Sequence, residues 1–114
     1  MTLIPIEADQ STLSKRFRKA DYFVFSAQAE ARIQSNPHKT SQSTAFFEYF
    51  ETLGVHSIYL KALGYKTFLR LHRMGIAVYL IPEEVGIYSM IQEENLLLLD
   101  EKNAEGLCTL GHQK

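Results

Sequence analysis

The sequence predicts an α/β fold built on parallel strands, and three observations carry that prediction. Phe46, Tyr49, Phe50 and Leu53 recur at i, i+3, i+4 and i+7, which is one apolar helical stripe. A second helical pattern starts at Gly64 or Tyr65: Tyr65, Phe68, Leu69, Leu71 and Met74 form its inner side, and Lys66, Arg70 and Arg73 its outer side. Each pattern stops at a glycine, Gly54 or Gly75, a residue able to take the left-handed conformation that closes a helix. Each glycine is followed by a short apolar run, Val55 to Leu60 and then Ile76 to Ile81 before Pro82. Helix, strand, helix, strand with short breaks describes a right-handed crossover between parallel strands.

The other elements follow from local pattern. Thr2 to Glu7 reads as a strand through Leu3, Ile4 and Ile6, and Pro5, which lacks a backbone donor, predicts an edge position or a bulge. Polar residues dominate Ala8 to Ala20, a loop. Asp21 to Ser26 is an aromatic strand and Glu30 to Gln34 its weaker hairpin partner, without the usual Asn-Gly or Asp-Gly turn. Asn36-Pro37 ends that strand, and Ser41, Ser43 or Thr44 is expected to cap the first helix. After Pro82, Glu83 and Glu84 suit a first helical turn, with Val85, Tyr88 and Ile91 inward, although Gly86 costs such a helix about 1 kcal/mol. Leu96 to Leu99 cannot be assigned by periodicity. Gly106 to Lys114 is expected to be a mobile tail.

Composition narrows the function. A chain of 114 residues is one domain, and 46% hydrophobic with 22% charged residues is ordinary for a soluble protein. The net charge of -1 recommends neither nucleic acid nor membrane. A single cysteine, Cys108, excludes an internal disulfide and a four-thiolate zinc or iron–sulfur site within one chain. No apolar run nears the roughly 20 residues needed to span a bilayer, and no secretory signal is visible, so a cytoplasmic protein is expected.

The motifs that identify a family lie in order along residues 1 to 95. Ser14, Phe17, Lys19 and Ala20 precede the aromatic strand Tyr22-Phe23-Val24-Phe25; Asn36-Pro37 follows the hairpin. Leu53-Gly54-Val55 joins the first helix to the next strand, and Met74-Gly75-Ile76-Ala77-Val78-Tyr79 opens the last. In this order and spacing the chain resembles the dinitrogenase iron–molybdenum cofactor biosynthesis family, small domains akin to NifX and to the C-terminal part of NifB. The resemblance implies a ribonuclease-H-like three-layer α/β fold: a mixed five-stranded sheet, three antiparallel strands then two parallel ones, with helices packed on it. It implies a NifX-like domain over residues 1 to 95, with 96 to 114 a C-terminal extension. It also implies a non-catalytic carrier or accessory role in which an iron–molybdenum cofactor precursor or another metal–sulfur cluster is bound, with a cluster-assembly or acceptor protein as partner. The chain departs from the family at three places. Arg16 stands where the family has histidine, Arg18 where it has glycine, and Lys61-Ala62-Leu63-Gly64 keeps only the last glycine of a glycine-rich turn.

Candidate site residues follow from charge and topology. Lys15, Arg16, Arg18 and Lys19 are four cations in five positions, and arginine offers planar paired donors to oxyanions. Ligands of α/β sheets gather beyond the carboxyl ends of parallel strands, where helix N-termini lie, and the Lys61–Gly64 turn belongs to that edge. An anion or cluster site of Ser14, Arg16, Arg18, Lys19, Lys61 and Gly64 is therefore expected, against the alternative of a solvated loop. His38, after Asn-Pro, is the one candidate metal ligand among four histidines that share no metal-binding spacing. Two-metal nuclease chemistry needs several converging carboxylates, and only Glu7 and Asp9 stand near a strand end. No nucleophile elbow, P-loop or dinucleotide glycine pattern is present, so an enzyme is not expected. The competing reading is a protein-interaction module that has kept the fold and lost the ligand.

Overall fold

A computed structural model describes residues 1–28 and 30–108. In chain order the elements are β1 (Thr2–Ile6), β2 (Tyr22–Ala27), β3 (Glu30–Ser35), α1 (Ser43–Glu51), β4 (Ser57–Leu60), α2 (Tyr65–Arg73), β5 (Ala77–Leu80), β6 (Leu97–Leu98) and α3 (Ala104–Leu107). The sheet order is β3-β2-β1-β4-β5-β6. β1, β2 and β3 are antiparallel neighbours; β1, β4 and β5 run parallel; and β6 returns antiparallel to β5. The mixed sheet is thus as expected for its first five strands, and the leucine run supplies a sixth. Leu97 and Leu98 pair with Leu80 and Tyr79, while Leu99 turns into the core.

Side-chain alternation along the strands feeds two cores, one on each face. Leu3, Phe23, Phe25, Ile58, Leu60 and Val78 meet Phe46, Phe47 and Phe50 of α1, Phe68 and Leu71 of α2, and Ala104 of α3. Ile4, Ile6, Val24 and Ile81 form the opposite cluster with Leu13, Val85, Tyr88, Ile91 and Leu96. The crossovers β3-α1-β4 and β4-α2-β5 step the same way across the sheet, so one handedness places both helices on one face. The helices therefore form one layer on the sheet, and non-helical segments cover its other face. Each fully buried large side chain stabilises this arrangement by roughly 1.5–3 kcal/mol.

Several local expectations are corrected. Pro5 is neither on an edge strand nor at a bulge: it pairs with Phe23 on interior strand β1. Its carbonyl accepts the Ser14 N–H at 3.0 Å, and a strand residue points N and O to the same side. The missing donor therefore faces the side where pairing with β4 has ended at Leu3. The α-helix expected from Glu83 does not form. Gly86 instead gives its carbonyl to the Leu13 N–H at 2.8 Å, and Ile87 bridges Thr12, leaving only single 3₁₀ turns at Tyr88–Met90 and Glu93–Asn95. The apolar spacing of Val85, Tyr88 and Ile91 is met by the second core without a helix. α1 starts at Gln42 with no side-chain cap, because the Ser41 hydroxyl is hydrogen-bonded to His38 Nδ1 at 3.0 Å and Ser43 and Thr44 are already inside the helix.

The two glycine stops hold, with φ of +72° at Gly54 and +80° at Gly75. At Gly75 the full C-terminal motif is present: its N–H donates to the His72 carbonyl at 3.0 Å and the Ile76 N–H to the Leu71 carbonyl at 3.1 Å. Residues 106–108 of the expected tail are ordered. Leu107 ends α3 and Cys108 is buried against the helical layer; the remaining part, 109–114, lies outside the described residues.

Candidate functional site: a basic cleft at the carboxyl edge

The loop after β1 is held at three points, and these determine where its cations stand. At its start the buried Ser14 hydroxyl donates to the Arg16 carbonyl at 3.0 Å and accepts the Arg16 N–H at 3.1 Å. In its middle Phe17 enters the helical core, with ring centroids 5.2 Å from Phe46 and 5.6 Å from Phe50, both nearly perpendicular. At its end the Asn36 side-chain amide donates to the carbonyls of Arg18 at 2.8 Å and Ala20 at 3.0 Å. Phe17 points inward, so Arg16 is left exposed and Arg18 half-buried on either side of it.

This loop faces the turn after β4 across a cleft of about 300 Å³. Lys15, Arg16, Arg18 and Lys19 line one wall, Phe17 the floor, and Ala62, Leu63, Gly64 and Thr67 the other wall. Gly64 is the extended N-cap of α2, and the first intrahelical N–H is that of Phe68, donated to the Gly64 carbonyl at 3.0 Å. The preceding amides of α2 and its positive dipole end therefore lie at the cleft. No carboxylate, histidine or thiol lines it. Larger hollows exist, about 480 Å³ beside Ile87 and Met90 and about 390 Å³ beside Met1 and Arg32, but neither gathers charge of one sign. Four cations, a helix N-terminus and the Thr67 hydroxyl form a set of donors with no acceptor carboxylate, which suits an anion.

The remaining candidates fall elsewhere. Lys61 does not line the cleft: its ammonium donates to the carbonyls of Pro82, Glu83 and Val85 at 3.0, 2.7 and 2.6 Å. Ser14 acts on the loop backbone rather than lining the cleft. His38 packs at a tilt against Tyr49 with ring centroids 4.9 Å apart and hydrogen-bonds Ser41, away from the lining residues. Arg18 reaches the same segment through the Ser41 carbonyl at 3.4 Å. Asp9 is engaged in its own turn: its carboxylate accepts from the Ser11 and Thr12 N–H groups and the Thr12 hydroxyl, which holds its pKa below the ordinary carboxylate value. Among the described residues no three His, Cys, Asp or Glu side chains converge as a metal site. His56 precedes β4 and His72 stacks on Phe68 at 5.3 Å, while His112 is outside the described residues.

Sequence reasoning missed Thr67 and Asn36. Thr67 stands one turn into α2, so its distance from Gly64 was the available signal. Asn36 reads in the sequence as a strand end, and nothing in its neighbours announces a contact with residues 16 and 18 positions earlier. Phe47, which points off the apolar stripe of α1, is buried and lies under the Arg70 guanidinium at 4.2 Å.

Among the described residues no helix is long and apolar enough to cross a membrane. No family model matches the sequence, and no curated protein matches it. Two solved structures share the fold. The NMR structure of a NifB-like protein from Thermotoga, of the DUF35 family, superposes with a TM-score of 0.61 at 21% identity, covering 86% of this chain and 91% of that one. The crystal structure of PH0822 superposes with a TM-score of 0.58 at 22% identity over 68% of this chain and 72% of that one. What this chain has in common with both is the mixed α/β architecture.

Proposed function

We propose that this protein is a non-catalytic accessory or carrier domain of the NifX and NifB kind, on a ribonuclease-H-like fold, that binds an anionic metal–sulfur cluster or an oxyanion. The observation that carries the reading is the cleft between residues 15–19 and 62–64, where four cations and the start of α2 converge without a carboxylate. The fold shared with a NifB-like protein supports it. The lining offers no thiolate or imidazole, so a cluster would be held by its anionic periphery, through charge-assisted hydrogen bonds, rather than by metal–ligand bonds. Loose outer-sphere binding suits cargo that must be handed on, which makes a cluster-assembly or acceptor protein the fitting partner and the cytoplasm the fitting compartment.

Anaerobic calorimetric titration with molybdate and tetrathiomolybdate tests this. Replacing both arginines, Arg16→Ala with Arg18→Ala, is expected to weaken binding roughly tenfold or more, because exposed charged hydrogen bonds are each worth about 1 kcal/mol. Equal affinity in both proteins would remove the arginines from the site. The turn favours a second reading, an interaction module: Leu63 is buried and Ala62 carries a side chain where a glycine-rich turn would open its amides. Wild-type protein that binds neither anion would select that reading.

A further inference from the structure

The Lys61 ammonium has three protons and three carbonyl acceptors, those of Pro82, Glu83 and Val85, so no donor is left for a ligand. These carbonyls begin the segment that covers the second core. One residue further, the Gly86 carbonyl accepts the Leu13 N–H at 2.8 Å, and the Tyr88 N–H donates to the Ser11 carbonyl at 3.1 Å. Leu13 is buried beside Ile6, Ile81 and Val85, and its neighbour Ser14 donates its N–H to Pro5 and ties both backbone groups of Arg16. A continuous set of hydrogen bonds therefore runs from the first side chain after β4, through 82–88 and 11–14, to Arg16, which faces the Gly64 turn.

We infer that Lys61 is a positioning residue for the basic cleft, acting through the 82–88 segment and not as one of the charges that meet the ligand. The side chain stands at the carboxyl edge, one residue from the cleft wall, yet it reaches the other face of the sheet. Among the described residues the Glu83 and Val85 carbonyls receive no backbone N–H, so the cation is their partner, while at Pro82 it joins the Val85 N–H at 3.1 Å. Without it, residues 82–85 lose their tether and the pairing of 86–88 with 11–13 is the next to loosen. The effect on binding rests on the anion reading above; the effect on the two segments does not.

The test joins amide hydrogen exchange with molybdate titration in wild type, Lys61→Met and a chemically restored lysine. For the last, Lys61→Cys in a Cys108→Ala background is alkylated with bromoethylamine after unfolding and then refolded, which returns an ammonium at nearly lysine length. Lys61→Met is expected to speed exchange at Leu13, Ser14, Arg16 and Tyr88 by about tenfold or more, leaving Phe23, Val24 and Phe25 of β2 at wild-type rates. Molybdate affinity falls about tenfold with it, a change of 1.4 kcal/mol, and alkylation restores both. Exchange that quickens throughout the chain, or no local change at all, overturns the inference. If wild type binds no molybdate, the anion reading fails while the exchange pattern still decides whether Lys61 holds the segments. Should Lys61→Met not fold, Lys61→Gln, which keeps two N–H donors and no charge, is read in the same way.

Discussion

Replacing Phe17 with alanine asks whether the basic loop is fastened to the core through one ring. Phe17 is 4% exposed and its centroid lies within 6.4 Å of those of Phe23, Phe46, Phe47 and Phe50. Truncation of a buried phenylalanine costs about 3–5 kcal/mol, the lost transfer energy plus the cavity left behind. Within that figure the near-perpendicular contacts with Phe46 and Phe50 account for about 0.5–1.5 kcal/mol each. Against a total stability of about 5–15 kcal/mol for a domain, this is a large fraction. Urea unfolding followed by far-ultraviolet circular dichroism measures it: with a slope of about 1–3 kcal/mol per molar, the midpoint should fall by about 1 M or more at unchanged slope. A midpoint within about 0.3 M of wild type would show that the ring is not part of the core, and the account of how Arg16 and Arg18 are presented would fail with it.

Two further outcomes follow from local geometry. Gly75→Ala puts a side chain at φ +80° with nothing within 4 Å of the new Cβ, so its cost is backbone alone, about 1–2 kcal/mol by urea unfolding; Gly75→Asn should cost less. Burial raises the Cys108 thiol pKa above its ordinary value. The folded state therefore keeps the thiol proton longer than the unfolded chain does, and the stability this contributes is full below the ordinary thiol pKa of about 8.5 and declines as pH rises from there through the folded value. Alkylation by iodoacetamide at pH 8 should accordingly be slow in the native protein and fast in urea; equal rates would place the thiol at the surface.

What could be read in the chain was whatever local pattern determines. The stripes of α1 and α2, their glycine stops and the aromatic alternation of β2 each follow from spacing within a few residues, and all are present. The errors lie where a distant partner decides. Gly86 with Val85, Tyr88 and Ile91 fits a helix in isolation, but the Leu13 N–H and the Thr12 bridge draw this segment into extended pairing, which helix periodicity cannot foresee. The sixth strand needed Tyr79 and Leu80 as neighbours before a leucine run could be called a strand. The same division runs through the site. Clustered cations in the loop and a turn opening a helix are sequence properties, and the fold brings them together. The direction of one long side chain is not such a property: Lys61 lies in the turn, yet three carbonyls more than twenty residues later hold its ammonium.

Lys61 also changes the electrostatic argument for the cleft. An ammonium matched by three carbonyls has no donor left for anything else, so its charge acts only at a distance and the hydrogen-bond donors at the cleft are those of the start of α2 and of the opposite loop. Leu63 and Ala62 narrow backbone access on that side, so under the proposed anion reading the arginines would be the flexible partners and the helix end the rigid one. An anion with several peripheral oxygens or sulfurs can meet both walls at once; a small monovalent anion meets one. Affinity should therefore rise from chloride to molybdate to a larger polyanionic cluster by more than charge alone predicts, and competition among the three in one titration series measures that order. Affinities that scale with charge only would mean that the two walls do not act on one ligand.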